Sequence, residues 1–176
     1  TTSKARWPTR VLVGLALAAF GAVLLHTQLL HMDAVPDRGD PLFSVWRLGW
    51  VYQQLLGDPR PLFDANIYHP APRTLTFSDS MLLPAVVNAP LLAGGIQPVT
   101  AYNITLLASF LASAFTCYLL VEALTGSAAA GFVSGLLFGF YPFRIEHYSH
   151  LELLMGFWIP LSLLADRWSR VKSIFL

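Results

Sequence analysis

Charge is scarce in this chain, and unevenly so. Charged residues make up 12% of the 176 positions and hydrophobic ones 55%, where an ordinary soluble domain carries roughly 25% charge. No Asp, Glu, Lys or Arg occurs between Asp79 and Glu122, nor between Glu122 and Arg144. Runs of that kind argue against a soluble fold. The 11 basic residues barely outnumber the 10 acidic ones, for a net charge of +1, and they are scattered, which removes the electrostatic case for nucleic acid. One cysteine, Cys117, excludes an internal disulfide. The sequence has no phosphate-cradling glycine loop, cysteine pair, nucleophile elbow, internal repeat or low-complexity tract.

What is present reads as an all-α integral membrane protein. Val11–Leu30 follows Lys4, Arg6 and Arg10; it is too long for the core of a signal peptide and long enough to span a bilayer. Residues 102–124 form a second apolar run, and 128–141 a third, rich in Gly and Ala and stopped by Pro142, as expected of a close-packed helix. A fourth candidate covers 151–166, with Pro160 placed to kink it. Met81–Ile96 is short and interrupted by Pro84, Asn88 and Pro90. The positive-inside rule places Lys4, Arg6 and Arg10, and equally Arg167, Arg170 and Lys172, in the cytoplasm. Four spans satisfy both ends and five do not, so Met81–Ile96 is expected to dip into the outer interface. The expectation is a single membrane domain over 1–176, with an outer first loop over 31–99 that carries interfacial helices.

That loop has its own pattern. Leu42, Val45, Trp46, Gly49, Tyr52 and Leu56 follow helical spacing, with Arg47, Gln53 and Gln54 elsewhere on the wheel. Asp40 before Pro41 suits an N-cap, and the Trp and Tyr content suits the headgroup level. The stretch 59–73 is too proline-rich for regular structure and reads as an ordered surface loop. Beyond the spans, the polar segment 142–152 holds Arg144, Glu146, His147, His150 and Glu152. Charged groups beside hydrocarbon are costly, which marks both polar regions as functional candidates.

The order of these features resembles the amino-terminal part of GT-C fold membrane glycosyltransferases. They are the first helix, Gly39-Asp40-Pro41, an interfacial helix with Trp46 and Trp50, Tyr68-His69-Pro70, and a helical hairpin closing with Pro142-Phe143-Arg144. More narrowly, the chain is similar to the bacterial family that includes protein O-mannosyltransferases and lipid A aminoarabinose transferases. The resemblance implies transfer of a sugar from a polyprenyl-phosphate donor at the outer face of a bacterial inner membrane, in a form truncated relative to that family. It maps the acceptor-activating carboxylate to Asp40, with Asp33 as a poorer match. The His-Pro element near the sugar-lipid maps to His69-Pro70, and the Pro-plus-basic stretch to Pro142 and Arg144.

The chemistry agrees with those residue types. An acceptor hydroxyl loses its proton as it attacks the anomeric carbon, and a carboxylate within hydrogen-bond reach takes it. A guanidinium such as Arg144 stabilises the leaving phosphate, with His147 or His150 as second donor. Asp40 and Arg144 are expected to converge on one outer pocket. Structural alternatives remain open: Asp40 as a plain N-cap, Arg144 snorkelling at a helix end, His147 and His150 as interface groups, and His69 as a loop hydrogen-bonder. Glu146, His147 and His150 have a spacing compatible with a metal, but no second cluster supports one, and no metal or other cofactor is expected. Asn103-Ile104-Thr105 matches a glycosylation sequon that opens an apolar helix and is discounted. The partners expected are the bilayer, a polyprenyl-phosphate lipid and other membrane subunits. The rival reading is a non-catalytic transmembrane subunit that retains a transferase-like scaffold. A transporter fragment fits less well, because no span is broken at mid-membrane by a charged segment.

Overall fold

A computed structural model describes residues 3–174, with side chains over 7–167; the side chains of Lys4, Arg6, Arg170 and Lys172 lie outside that range. All regular structure among the described residues is helical. Three helical stretches are long and apolar enough to cross a membrane: Trp7–Leu24, Pro98–Thr125 and Ala128–Glu146. The chain divides into two compact units, described in turn.

The first unit comprises residues 3–29, 107–147 and 153–174. Helix α1, Ser3–Leu24, takes the amino-terminal basic residues into its first turns. The span expected over 11–30 is therefore shifted and broken, because the chain turns at Leu25 before a short α2, His26–Leu30. At that break the His26 Nδ1–H donates to the Val23 carbonyl at 3.0 Å, capping an α1 carbonyl freed by the turn. Arg10 of α1 meets Glu122 through Nε and Oε2 at 2.9 Å, with the glutamate side chain buried. Glu122 lies near the end of α5, Pro98–Thr125, which starts about one turn earlier than expected.

The turn between α5 and α6, Ala128–Phe140, follows capping logic. Gly126 adopts φ +73°, the left-handed conformation glycine takes without steric cost, and the Ser127 Oγ accepts from the Ala130 N–H at 3.2 Å. Glycine then governs how α6 packs. Gly131, Gly135 and Gly139 recur every four residues, and a Cβ at Gly139 would stand 2.5 Å from the Ala114 Cβ and 2.9 Å from its Cα. At Gly135 the obstacle is the Ala114 carbonyl at 2.7 Å. This is close backbone contact of the small-xxx-small kind, as the Gly/Ala content predicts. Tyr141 takes extended φ/ψ ahead of Pro142, which opens α7, Pro142–Glu146.

The expected span over 151–166 is not one helix. A short α8, Leu151–Leu154, is separated by Met155, Gly156 and Phe157 from α9, Trp158–Ile174. Pro160 lies in the first turn of α9, where its missing N–H removes no helical bond, so it starts the helix rather than kinking it.

The second unit comprises residues 30–106 and 148–152. Its first-loop helix is α3, Asp40–Leu56, packed on α4, Leu82–Ala93. Gly39, not Asp40, is the N-cap; Asp40 and Pro41 form the first turn. The face of α3 turned inward carries Pro41, Ser44, Arg47, Leu48 and Val51, whereas Leu42 and Leu56 are exposed and Val45, Trp46 and Tyr52 half-exposed. The stripe read from the spacing is thus largely outward, and the inward face sets Ser44 and Arg47 among the apolar Leu48 and Val51. Phe43, Trp46 and Trp50 stack along the helix with ring centroids 5.5 and 6.2 Å apart, and the Trp50 indole N–H donates to the Leu62 carbonyl at 2.9 Å.

Two buried asparagines tie this unit together. Asn88 of α4 donates to the Ala101 carbonyl and to the Thr105 Oγ1. Asn103, fully buried, donates to the carbonyls of Met32 and Ala34 and so fixes the start of the segment between α2 and α3. Its burial agrees with discounting the sequon.

Candidate functional site

The site candidates fall into three groups. The first lies at the start of α3. Asp40 Oδ2 is 2.7 Å from His150 Nε2, with side chains 59% and 33% exposed. Asp40 leaves a helix-capping role to Gly39 and turns its carboxylate to the imidazole instead, while still sitting in a first turn whose dipole favours negative charge. His150 Nδ1 lies 3.2 Å from the Ser149 Oγ. With the carboxylate accepting, Nε2 carries a proton and the serine hydroxyl donates to Nδ1 in the neutral ring. Ser149 is in turn held by its carbonyl, which accepts from the buried Tyr102 hydroxyl at 2.9 Å.

Beneath this pair lies a group that the sequence does not single out. Arg47, 2% exposed, donates from Nη1 to the Ser78 Oγ and the Asp79 carbonyl at 3.1 and 2.8 Å. Its Nη2 donates to the Ser44 Oγ at 2.8 Å and stands 3.7 Å from Glu152 Oε2. The guanidinium also lies over the Phe43 ring, 4.5 Å from its centroid. The segment 148–152 therefore meets α3 through two polar contacts: His150 to Asp40 and Glu152 to Arg47. Asp40, Ser44 and Arg47, four and three residues apart on one helical face, were the available signal.

Arg144, in the other unit, is spent differently. It is 3% exposed, its Nη2 donates to the Leu154 and Ser109 carbonyls at 2.6 and 3.4 Å, and its guanidinium lies 5.0 Å from the Phe110 ring centroid. The side chain is buried and does not snorkel. His147 closes α7: its Nδ1–H donates to the Phe143 carbonyl at 2.9 Å, and its ring stacks on Phe143. Because α7 ends at Glu146, His147 and His150 do not share a helix.

The third group lies between α2 and α4. His69 is exposed beside Pro70 and lines a pocket with Asp64, Asn66 and Ile67. Asp33 is exposed in the turn after α2. Among the described residues no three His, Cys, Asp or Glu side chains gather as a metal site. No family model matches the chain, and neither does a curated protein or a solved structure.

Proposed function

We propose that the chain is a membrane glycosyltransferase module of GT-C type, transferring a sugar from a polyprenyl-phosphate donor to a hydroxyl acceptor at the outer face of a bacterial inner membrane. The observation that carries this reading is the accessible Asp40–His150 pair, set at a helix start. In the reaction, the acceptor oxygen forms a bond to the anomeric carbon, the bond from that carbon to the phosphate oxygen breaks, and the phosphate leaves with the electron pair. The acceptor proton passes to Asp40. His150 Nε2–H holds the carboxylate in place.

The membrane arrangement supports that placement. Large apolar side chains of α1, including Leu12, Leu15 and Val23, are exposed, as are Val133 and Leu137 of α6, an amount of apolar surface that a water-soluble monomer rarely carries. We read α1, α5, α6 with α7, and the broken segment 151–166 of α8 and α9 as four crossings with both termini cytoplasmic. Helix α4 has 12 residues and reaches only about 18 Å at 1.5 Å per residue, short of the roughly 30 Å hydrocarbon core. Helix α3 lies along the outer interface with its exposed apolar stripe toward lipid.

One observation favours the rival reading of a non-catalytic membrane subunit: Arg144 gives its Nη2 to backbone carbonyls within the fold. A transfer assay separates the two. With the chain in proteoliposomes and a labelled polyprenyl-phosphate sugar, Asp40→Asn is expected to reduce turnover by about 100-fold or more while donor binding persists. Wild-type turnover in Asp40→Asn would overturn the base role of Asp40, and donor binding without any transfer by the native chain would establish the subunit reading instead.

A further inference from the structure

The outer loop contains a second built feature that shares no residue with the Asp40–His150 pair. Residues 63–75 leave and return to nearly the same place, tied at the neck by the Leu75 N–H donating to the Phe63 carbonyl at 3.0 Å. Two further ties follow: the Arg73 N–H to Asp64 Oδ1 at 2.7 Å, and the Thr74 Oγ1 to the Ala65 carbonyl at 2.8 Å. Thr74, Leu75 and Ala65 are buried. This is an Ω-loop, a form whose ends are close and which often carries function.

Within the loop, Tyr68 and Arg73 hold φ near +55°, at 56° and 54°. Side chains with a Cβ resist that region, and it persists only where surrounding contacts enforce it. The same loop encloses a pocket of ≈ 430 Å³ lined by Asp64, Asn66, Ile67, His69, Pro70 and Ala71. Its size falls in the range of small-molecule sites, with a few polar groups set among apolar ones.

The lining selects among ligands. A carboxylate, an amide and an imidazole together offer both acceptors and donors, which is what a ring of hydroxyls requires. Ile67, Pro70 and Ala71 offer apolar surface to the C–H face of a sugar. No Arg or Lys lines the pocket, and the Asp64 carboxylate disfavours a phosphate. We propose that this Ω-loop pocket binds a neutral saccharide through its hydroxyls. Taken with the transferase reading, on which only this use of the ligand rests, it holds the sugar of the acceptor.

The test is saturation-transfer NMR on the chain in lipid nanodiscs, free of sugar-based detergent, with methyl α-mannopyranoside and methyl β-glucopyranoside as probes. At least one glycoside is expected to receive saturation. Asp64→Asn, which retains Oδ1 for the Arg73 N–H and so keeps the loop closed, should weaken its binding about tenfold, as should His69→Gln; Gly49→Ala, in open space outside the pocket, should leave it unchanged. Amide exchange at Arg73 confirms that the loop stays closed in each variant. No transfer to either glycoside, equal transfer in the pocket variants, or preferential binding of inorganic phosphate or calcium ion at these residues would overturn the proposal. Glycoside binding without any sugar-transfer activity would sink the transferase reading and leave the pocket standing. Asp40-dependent transfer with no glycoside binding at the pocket would do the reverse.

Discussion

Arg47 and Glu152 stand 3.7 Å apart, on α3 and α8, and the arginine is almost wholly removed from solvent. Removing it would leave Ser44, Ser78 and the Asp79 carbonyl without its donors and Glu152 without its counter-charge. Arg47→Met is expected to destabilise the fold by about 3 kcal/mol, the range for breaking one side of a buried pair. Thermal unfolding in nanodiscs would measure this. A melting temperature equal to wild type would mean that the guanidinium contributes only packing.

His150 acts on Asp40 as a positioning residue. His150→Phe removes the Nε2 donor and should lower kcat of the proposed transfer about tenfold or more with little change in KM, the size expected for losing a hydrogen bond to a charged group. His150→Gln can still donate to the carboxylate and should recover much of the loss. Equal activity of the Phe and wild-type chains would show that the contact plays no part in turnover.

Small-residue packing makes a sharper demand. Gly139→Val places a Cβ against the Ala114 backbone, where no flexible side-chain end can move aside. We expect about 1–3 kcal/mol of destabilisation from forced overpacking. Gly49→Ala, at a position with open space around the added carbon, is the control and should be close to neutral. Similar losses in both variants would rule out the close α5–α6 contact as the cause.

Membrane crossing can be checked by labelling. A cysteine at Gly95, just past α4 in open space, should react with an impermeant reagent added from the outer side of oriented vesicles. Reaction only from the cytoplasmic side would refute the four-crossing arrangement.

In the loop after α3, the Arg60 guanidinium holds the Asp58 carboxyl below the usual carboxylate range by hydrogen bonding to it. Because the folded-state value is the lowered one, whatever this contact adds is present above the ordinary aspartate range and is lost as pH falls through the folded value. NMR titration of Asp58 should show an upward move on Arg60→Ala; no movement would mean that solvent screens the pair completely.

How much of this was legible beforehand differs from element to element. The hairpin of α5 and α6 could be read directly, because Gly126, Ser127 and Pro142 act on their own backbone and the apolar runs between them are unbroken. The span over 151–166 could not, since Gly156, at the break between α8 and α9, lies inside a window whose average is still apolar. Asp40 and His150 were each singled out by residue type, but their pairing depends on two distant segments being brought together. Arg47 was passed over for a physical reason: a helical wheel sets it off the apolar stripe but does not say which side the rest of the fold covers. The covered side takes Leu48 and Val51 together with Ser44 and Arg47.

The sequence by itself determined the helical class, the apolar stretches and the turns between them, since hydropathy, proline geometry and capping act over a few residues. Only the tertiary structure decided which charges are buried and which are accessible. It folded Arg47 and Arg144 into hydrogen-bonded interiors, closed residues 63–75 around a pocket, and left Asp40 exposed beside His150. Burial and pairing depend on contacts between residues far apart in the chain, and a residue's own neighbours in sequence carry no record of them.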